Sequence, residues 1–198
     1  MTVEHPSDDE ATVWLVTDEV LGPVVRSVGV RRVVPAEDFF SRFVRSILRQ
    51  QVSIAAADAI YDRVEASVDL TPDGVGGTPD AVFRDAGVSE RKVRTIRAIA
   101  DRFAAGRWNR DRFVGRSDAA VIEELTAVTG IGPWTAKMQL VFSLGRPDVF
   151  PVEDLGIRRA MVEVTGRELD RSEMEAIAER WRPHRSLASL YLWAGREG

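Results

Sequence analysis

The segment Leu125-Thr-Ala-Val-Thr-Gly-Ile-Gly-Pro-Trp-Thr-Ala136 is the most informative part of this sequence. It predicts two helices joined by a tight hairpin, because Gly130 and Gly132 tolerate positive φ angles and Pro133 suits the first position of a helix. The amide groups that begin the second helix lack partners within it, so together with the helix dipole they form a site for a phosphate. Glycines also end helices that only pack, but the longer pattern, an apolar helix end followed by Gly-Ile-Gly-Pro, is considerably more specific.

Apolar residues elsewhere in the chain recur at helical spacing. Phe40, Phe43, Val44 and Ile47 follow the i, i+3, i+4, i+7 pattern of a buried helix face. Further predicted helices cover residues 54–67 after a Ser53 cap, 90–105 after a Ser89 cap, 118–128, 133–144, 155–164, 173–181 after a Ser172 cap, and 185–193. Residues 69–77 are predicted to form a turn, and a loop is expected around residues 108–109. No strand pattern occurs, so we predict an all-α fold with roughly nine or ten helices.

The amino-acid composition limits which metal or disulfide sites the protein can have and where in the cell it is expected. The chain has 198 residues, 44% hydrophobic and 29% charged, which suits one compact domain or two lobes. It has no cysteine, which excludes disulfides, thiolate zinc sites and iron–sulfur clusters. No apolar run could span a bilayer and the acidic start is unlike a secretory signal, so we expect a cytoplasmic protein without membrane contact. The net charge of −4 argues mildly against nucleic acid, although basic residues cluster at 91–97 and 158–159.

A carboxylate follows the hairpin in the segment Asp148-Val-Phe-Pro-Val-Glu-Asp-Leu-Gly-Ile157. Asp154 falls where an extended stretch becomes a helix, so its plainest interpretation is an N-cap. A capping carboxylate is also held rigidly, and a rigid carboxylate suits a reaction whose transition state has positive charge on a sugar ring. The two roles are compatible, and Glu153 is the alternative carboxylate.

Two tryptophans are candidates for stacking on a nucleobase. Trp134 and Trp193 could bind an electron-poor, cationic ring through cation–π attraction, which contributes roughly 0.5–2 kcal/mol. The alternative is that both are core residues, as most tryptophans are. Trp14, Trp108 and Trp181 are interpreted as structural.

Five segments together resemble a known family. They are Ile47-Leu-Arg-Gln-Gln-Val-Ser-Ile-Ala-Ala56, Gly87-Val-Ser-Glu-Arg-Lys-Val93, Thr129-Gly-Ile-Gly-Pro-Trp-Thr-Ala-Lys-Met138, Asp148-Val-Phe-Pro-Val-Glu-Asp-Leu-Gly156 and Trp181-Arg-Pro-His-Arg-Ser-Leu-Ala-Ser-Leu-Tyr-Leu-Trp193. The chain resembles the helix-hairpin-helix, Gly/Pro-rich, aspartate (HhH-GPD) superfamily of DNA glycosylases, and within it 3-methyladenine DNA glycosylase II. The resemblance implies a two-lobed helical fold with the active-site cleft between the lobes. It implies a glycosylase domain at residues 36–198 and an extension at residues 1–35 that packs on it.

The resemblance also implies roles for individual residues. Asp154 matches the catalytic aspartate, Trp134 and Trp193 match aromatic positions of the base pocket, and Gln51 matches the wedge that fills the gap left by a flipped nucleotide. The other DNA-binding residues that it implies are Ser53, Gly130, Ile131, Gly132, Thr135 and Lys137. In some members hairpin carbonyls, here those of Val128 and Gly130, hold a monovalent cation. No organic cofactor is implied.

Departures from related branches bear on the reaction. Bifunctional branches have a Schiff-base lysine at the position of Trp134, so strand cleavage is not expected, and Lys137 is the only nearby amine. The four-cysteine cluster loop of one branch is missing, and the large N-terminal β-domain of some members is expected to be absent.

The resemblance therefore implies an activity and a partner. We expect a monofunctional glycosylase that hydrolyses the N-glycosidic bond of alkylated bases of the 3-methyladenine and 7-methylguanine type and so initiates base excision repair. Its expected partner is damaged double-stranded DNA, and a monomer is expected. The alternatives are a glycosylase-lyase for oxidised bases and a non-catalytic hairpin module that binds DNA.

Overall fold

The computed structural model describes residues 8–196, apart from the side chains of residues 8 and 54. Over this range the backbone forms helices and turns without a strand, so the prediction of an all-α fold is confirmed. The α-helices number thirteen in this range, more than predicted: α1 (Asp8–Leu15), α2 (Gly22–Val28), α3 (Phe39–Leu48), α4 (Ile54–Ser67), α5 (Pro72–Gly77), α6 (Asp80–Asp85), α7 (Glu90–Ala104), α8 (Arg110–Phe113), α9 (Asp118–Thr126), α10 (Pro133–Phe142), α11 (Leu155–Thr165), α12 (Arg171–Ala178) and α13 (Arg185–Ala194). None of them has the length and hydropathy that a membrane span requires.

The helices form two compact units. The terminal unit contains the described residues up to Pro35 and from Leu140 onward, and the central unit contains residues 36–139. The predicted extension, residues 1–35, falls within the terminal unit as far as it is described.

In the terminal unit, α1, α2 and α11 pack against α13, and α12 packs against α11. The core is formed by fully buried side chains that include Leu15, Leu21, Ile157, Met161, Trp181 and Tyr191. The hydroxyls of Thr12 and Tyr191 are 3.0 Å apart and join α1 to α13 through a hydrogen bond. The helix α13 is therefore the central element of this unit, since three other helices contact it.

In the central unit, α3 packs against α7 and α4. The predicted buried face of α3 is confirmed, because Phe40, Phe43, Val44 and Ile47 are all buried. Phe43 stacks on the buried Trp108 at a centroid distance of 5.6 Å. The hydroxyls of Ser53 and Ser89 accept hydrogen bonds from the amides of Ala56 and Lys92, which confirms both predicted caps.

Two short helices replace predicted turns or loops in the central unit. Residues 72–77 form α5 because the Thr71 hydroxyl caps it and Val75 is fully buried, although three glycines favour a turn. The Asn109 side chain accepts a hydrogen bond from the Arg112 amide and begins α8. In both cases a capping side chain and tertiary burial outweigh the local preference for a turn.

The N-cap of α12 is Asp170 rather than the predicted Ser172. The Asp170 carboxylate accepts a hydrogen bond of 2.8 Å from the Glu173 amide, and the Glu173 carboxylate accepts one of 2.8 Å from the Asp170 amide. This capping box satisfies two amide donors at once, which a cap at Ser172 would not do.

We expect Asp170→Ala to lower the free energy of unfolding by about 1 kcal/mol, because it removes the cap of α12. Ser172→Ala is the matched control and should change it by less than about 0.5 kcal/mol. Both values can be measured by urea denaturation followed by circular dichroism. A larger effect of Ser172→Ala would contradict the observed start of α12.

Candidate functional site

Two neutral donors hold the Oδ1 atom of Asp154 at the start of α11. Its Oδ1 atom accepts a hydrogen bond of 2.9 Å from the Ile157 amide, which makes Asp154 the N-cap of the helix, as predicted. The indole Nε1 of Trp193, on α13, donates to the same oxygen at 2.9 Å. Because both donors meet one oxygen, the carboxylate cannot rotate without breaking a hydrogen bond, and the direction of its second oxygen is fixed.

The loop that leads to Asp154 is fastened to the first turn of α13. The Ser186 hydroxyl donates to the Arg146 carbonyl at 2.6 Å and accepts from the Val149 amide at 3.0 Å. The Ser186 amide also donates to the carbonyl of Pro147 at 2.9 Å. Residues 146–153 contain no strand, so these hydrogen bonds to α13 take the place of a sheet in holding this predicted extended segment.

An ion-pair cluster reinforces the same loop. Arg185 donates to both oxygens of Asp148, with Nε–Oδ1 and Nη2–Oδ2 distances of 2.6 and 3.1 Å, and also to the Asp148 carbonyl at 3.0 Å. Arg185 is largely buried, and its Nη1 atom lies 2.9 Å from Glu179 Oε1. A hydrogen bond from Arg182 lowers the pKa of Glu179, so this carboxylate stays charged beside the arginines. The helix α13 therefore holds both the beginning and the end of the segment 146–154.

The place of Trp193 depends on a small residue and on a second aromatic ring. A Cβ atom on Gly156 would lie 2.9 Å from Asp154 Oδ1 and 3.2 Å from Trp193 Cδ1, too close for the first of these atoms to stay in place. The Trp193 ring stacks on Phe142 with a centroid distance of 5.5 Å and an interplanar angle of 29°. The absence of a side chain at Gly156 therefore provides the space that the Trp193 indole needs to reach the Asp154 carboxylate.

The hairpin (residues 127–132) and the loop between α3 and α4 (the wedge loop, residues 49–53) lie in the central unit. The Gly130 φ angle is +96°, and a Cβ there would overlap the Thr95 hydroxyl. No described atom lies within 4 Å of the Cβ position of Gly132, so the outer side of the turn is open within this unit. The hairpin therefore has one side packed on α7 and one side accessible.

The predicted site residues are distributed over both units. Asp154 and Trp193 meet in the terminal unit, whereas Trp134 and Lys137, both half-buried, belong to the part of α10 in the central unit. Gln51 is exposed and has a positive φ of 58°, unlike every other described residue that is not glycine. Ser53 is exposed and caps α4.

The structure is at odds with the predicted role of Thr135. Its side chain is 2% exposed, and its hydroxyl accepts a hydrogen bond of 2.9 Å from Gln50 Nε2. This side chain is internal to the central unit and is not available at its surface. The side chain of Ile131 is also buried, so a contact between Ile131 and DNA would have to use its backbone amide.

The two carbonyls predicted to hold a monovalent cation have hydrogen-bond donors. The Val128 carbonyl accepts from the Ile131 amide at 3.0 Å, and the Gly130 carbonyl accepts from Gln50 Nε2 at 3.1 Å. A carbonyl oxygen has two lone pairs, so one hydrogen bond to each of these carbonyls does not decide whether it is a cation ligand, and that role stays a prediction. Among the described residues, no group of three histidine or acidic side chains could hold a metal ion.

Comparison with known proteins identifies the family. Residues 44–184 match the HhH-GPD family, described as HhH-GPD superfamily base excision DNA repair protein. The chain belongs to this superfamily. The predicted resemblance is thereby confirmed, and the Gly-Ile-Gly hairpin and Asp154 both fall within the matched HhH-GPD residues.

Individual relatives are similar to nearly the whole chain. "DNA-3-methyladenine glycosylase 1" of Schizosaccharomyces pombe is 30% identical over 186 residues, which cover 89% of this chain and 82% of that protein. The crystal structure of a DNA-3-methyladenine glycosidase from Bacillus halodurans superimposes with a TM-score of 0.81 at 34% identity and covers 98% of this chain and 90% of that one. S. pombe Mag1 in complex with abasic DNA gives a TM-score of 0.83 at 29% identity and covers 93% of this chain and 95% of that one.

Sequence reasoning missed three features of the site. The hydrogen bond between Trp193 and Asp154 joins residues 39 positions apart, and no local pattern indicates it. Gly156 resembles any glycine in a helix until the Trp193 ring is placed beside it. The pairing of Arg185 with Asp148 is the third feature, and the opposite charges of these residues in two segments of the family pattern are the signal that could have indicated it.

We expect Gly156→Ala to displace the Trp193 indole from Asp154 without unfolding the protein, because alanine is otherwise favoured in helices. Nitrogen-15 correlation spectra resolve the five tryptophan N–H groups. The Trp193 resonance, assigned by its loss in Trp193→Phe, should shift and exchange faster with solvent in Gly156→Ala. Gly76→Ala is the control, since nothing lies within 4 Å of its Cβ position. An unchanged Trp193 resonance in Gly156→Ala would contradict the packing described here.

Proposed function

We propose that this protein is a monofunctional DNA glycosylase that hydrolyses the N-glycosidic bond of alkylated bases in duplex DNA, the first step of base excision repair. The proposed substrates are 3-methyladenine-type and 7-methylguanine-type lesions, and the proposed acting form is a monomer. Membership of the HhH-GPD superfamily and the relatives named DNA-3-methyladenine glycosylase support this assignment.

The observation that carries the proposal is the fixed carboxylate of Asp154. An alkylated base is a good leaving group, so the C1′–N bond breaks with its electron pair going to the base, and positive charge develops on the sugar. An oriented carboxylate stabilises that charge, and water then adds to C1′ and loses a proton to give an abasic site. The Ile157 amide and the Trp193 indole are neutral donors, so they hold Oδ1 without cancelling the negative charge.

The size of this effect follows from electrostatics. Two unit charges about 4 Å apart attract each other by about 4 kcal/mol at an effective dielectric constant of about 20. Since 1.36 kcal/mol corresponds to about a tenfold change in rate, the Asp154 charge would accelerate the reaction roughly a thousandfold.

Binding of the damaged base is assigned to the tryptophans. A base alkylated on a ring nitrogen is cationic, and an indole face attracts it. Trp193 is half-buried and is supported from one side by Phe142, which suits a rigid stacking surface. Trp134, half-buried in the first turn of α10, is proposed as the second aromatic contact.

Binding of duplex DNA is assigned to the central unit. The hairpin residues Gly130, Ile131 and Gly132 lead into α10, and the turn is open at Gly132. The backbone amides at the start of α10 are proposed to bind phosphate there without reading sequence. Lys137 and Ser53 are proposed as further contacts to the DNA backbone. The exposed Gln51 is proposed as the residue that enters the base stack. Flipping a nucleotide costs a few kcal/mol and less for a weakened pair, which favours damaged sites.

We expect Asp154→Asn to lower the single-turnover rate of base release by about a thousandfold or more, because asparagine can keep the two hydrogen bonds but has no charge. The rate is measured on a duplex with one 7-methylguanine, and affinity for the same duplex should change less than about threefold.

Glu153→Gln is the matched control for this variant, because it neutralises the adjacent acid. It should retain base release. If Glu153→Gln releases no base while Asp154→Asn releases it at the native rate, the catalytic carboxylate is Glu153 and not Asp154. If the native protein binds duplex DNA but releases no base from any alkylated substrate, the chain is a DNA-binding module.

We expect no covalent protein–DNA adduct when borohydride is added during turnover, because Trp134 occupies the position of the Schiff-base lysine in bifunctional relatives. The product strand should remain intact until it is treated with alkali, as gel electrophoresis can show. An adduct that disappears in Lys137→Arg would instead establish a glycosylase-lyase that uses Lys137.

A further inference from the structure

The wedge loop is tied to the hairpin by the side chain of Gln50. Its Nε2 atom donates to the Gly130 carbonyl at 3.1 Å and to the Thr135 hydroxyl at 2.9 Å. Both protons of one amide group are therefore used on the hairpin and on the first turn of α10. Gln50, which binds the hairpin, is therefore followed directly by Gln51, the exposed residue at the tip of the wedge loop.

The helix α7 also binds the hairpin, and it binds the end of α3, which leads into the wedge loop. Lys92 Nζ donates to the Leu48 carbonyl at the end of α3, at 2.7 Å. One turn later on α7, the Thr95 hydroxyl lies 3.0 Å from the Thr129 carbonyl in the hairpin, where a Cβ on Gly130 would overlap it. Burial lowers the pKa of Lys92, but an amine donates a hydrogen bond in either protonation state.

The conformation of Gln51 explains why the loop needs such support. A positive φ of 58° is unfavourable for a residue with a Cβ, and such strain persists only where surrounding contacts impose it. The hydrogen bonds of Gln50 and Lys92 fix the backbone on the N-terminal side of Gln51, and the Ser53 cap of α4 fixes it on the other side. The side chain of Gln51 is exposed.

We propose that Gln50 is a positioning residue that couples the hairpin to Gln51, so that phosphate binding by the hairpin determines where Gln51 enters the base stack. This inference rests on the proposed function, because it takes the hairpin as the phosphate site and Gln51 as the wedge. Gln50 itself contacts no DNA. Its loss should weaken recognition of a missing or displaced base while general binding to duplex DNA persists.

The first measurement compares affinity for two duplexes, one undamaged and one with a tetrahydrofuran abasic analogue. We expect Gln50→Leu to reduce the preference for the abasic duplex at least tenfold and to change affinity for the undamaged duplex less than threefold. A 2-aminopurine opposite the abasic site should also show a smaller fluorescence change on binding. Thr135→Val, which removes one of the two acceptors at nearly constant volume, should cause a smaller loss in the same direction.

Gln139→Leu is the control for a purely structural role. Gln139 is 1% exposed, and its Nε2 atom donates to Ser46 Oγ at 2.7 Å, so it is another buried amide that joins α10 to α3. This variant should lower the denaturation midpoint to a similar extent but keep the preference for abasic DNA. Equal losses of preference in Gln50→Leu and Gln139→Leu would overturn the proposal.

A double-mutant cycle tests whether Gln50 acts through Gln51. In a Gln51→Ala background, Gln50→Leu should reduce the abasic preference by less than twofold further. Full additivity of the two losses would refute the coupling. These readouts need no base release, so an inactive protein that shows the expected cycle would refute the proposed glycosylase reaction and leave the coupling intact.

Discussion

The interaction on which the proposed chemistry depends is the pair of hydrogen bonds to Asp154 Oδ1. One donor is the amide of Ile157, supplied by the helix that Asp154 caps, and the other is the indole of Trp193, supplied by α13. A cap alone fixes one oxygen to the start of a helix, while the second donor fixes the plane of the carboxylate. Because the first turn of α13 also holds the loop at Arg146 and Val149, one helix sets both ends of the segment 146–154.

The sequence predicted those elements whose signals are local. The apolar spacing of α3, the serine caps of α4 and α7, and the cap at Asp154 all depend on residues within one or two turns. The catalytic role proposed for Asp154 rests on the family resemblance, because the capping position is equally explained by helix stability and Glu153 was an alternative carboxylate. The predicted cap of α12 was wrong because Asp170 and Ser172 are both suitable caps and lie two residues apart. The reciprocal hydrogen bonds between Asp170 and Glu173 favour Asp170.

Long-range contacts could not be predicted in this way. Gln50 and Gln51 are the same amino acid at adjacent positions, yet one is fastened to the hairpin and the other is exposed. Which glutamine faces inward depends on the left-handed backbone at Gln51, and no residue-type preference indicates that conformation. Thr135 illustrates the same limit, because it lies in the hairpin motif and yet its hydroxyl is turned into the protein.

The net negative charge is compatible with a DNA-binding protein once the uses of arginine are considered. Arg185 is paired with Asp148 and Glu179, while Arg45 and Arg49 share Asp58, so these cations support local structure. The two pairs with Asp58 are partly exposed, and such pairs contribute only about 0–1 kcal/mol each, so the number of ion pairs says little about DNA affinity. The phosphate site proposed at the hairpin is of a different kind, because backbone dipoles rather than side-chain charges would bind the anion there. Overall charge therefore carries less information about the partner of this chain than the geometry of its Gly-Ile-Gly turn.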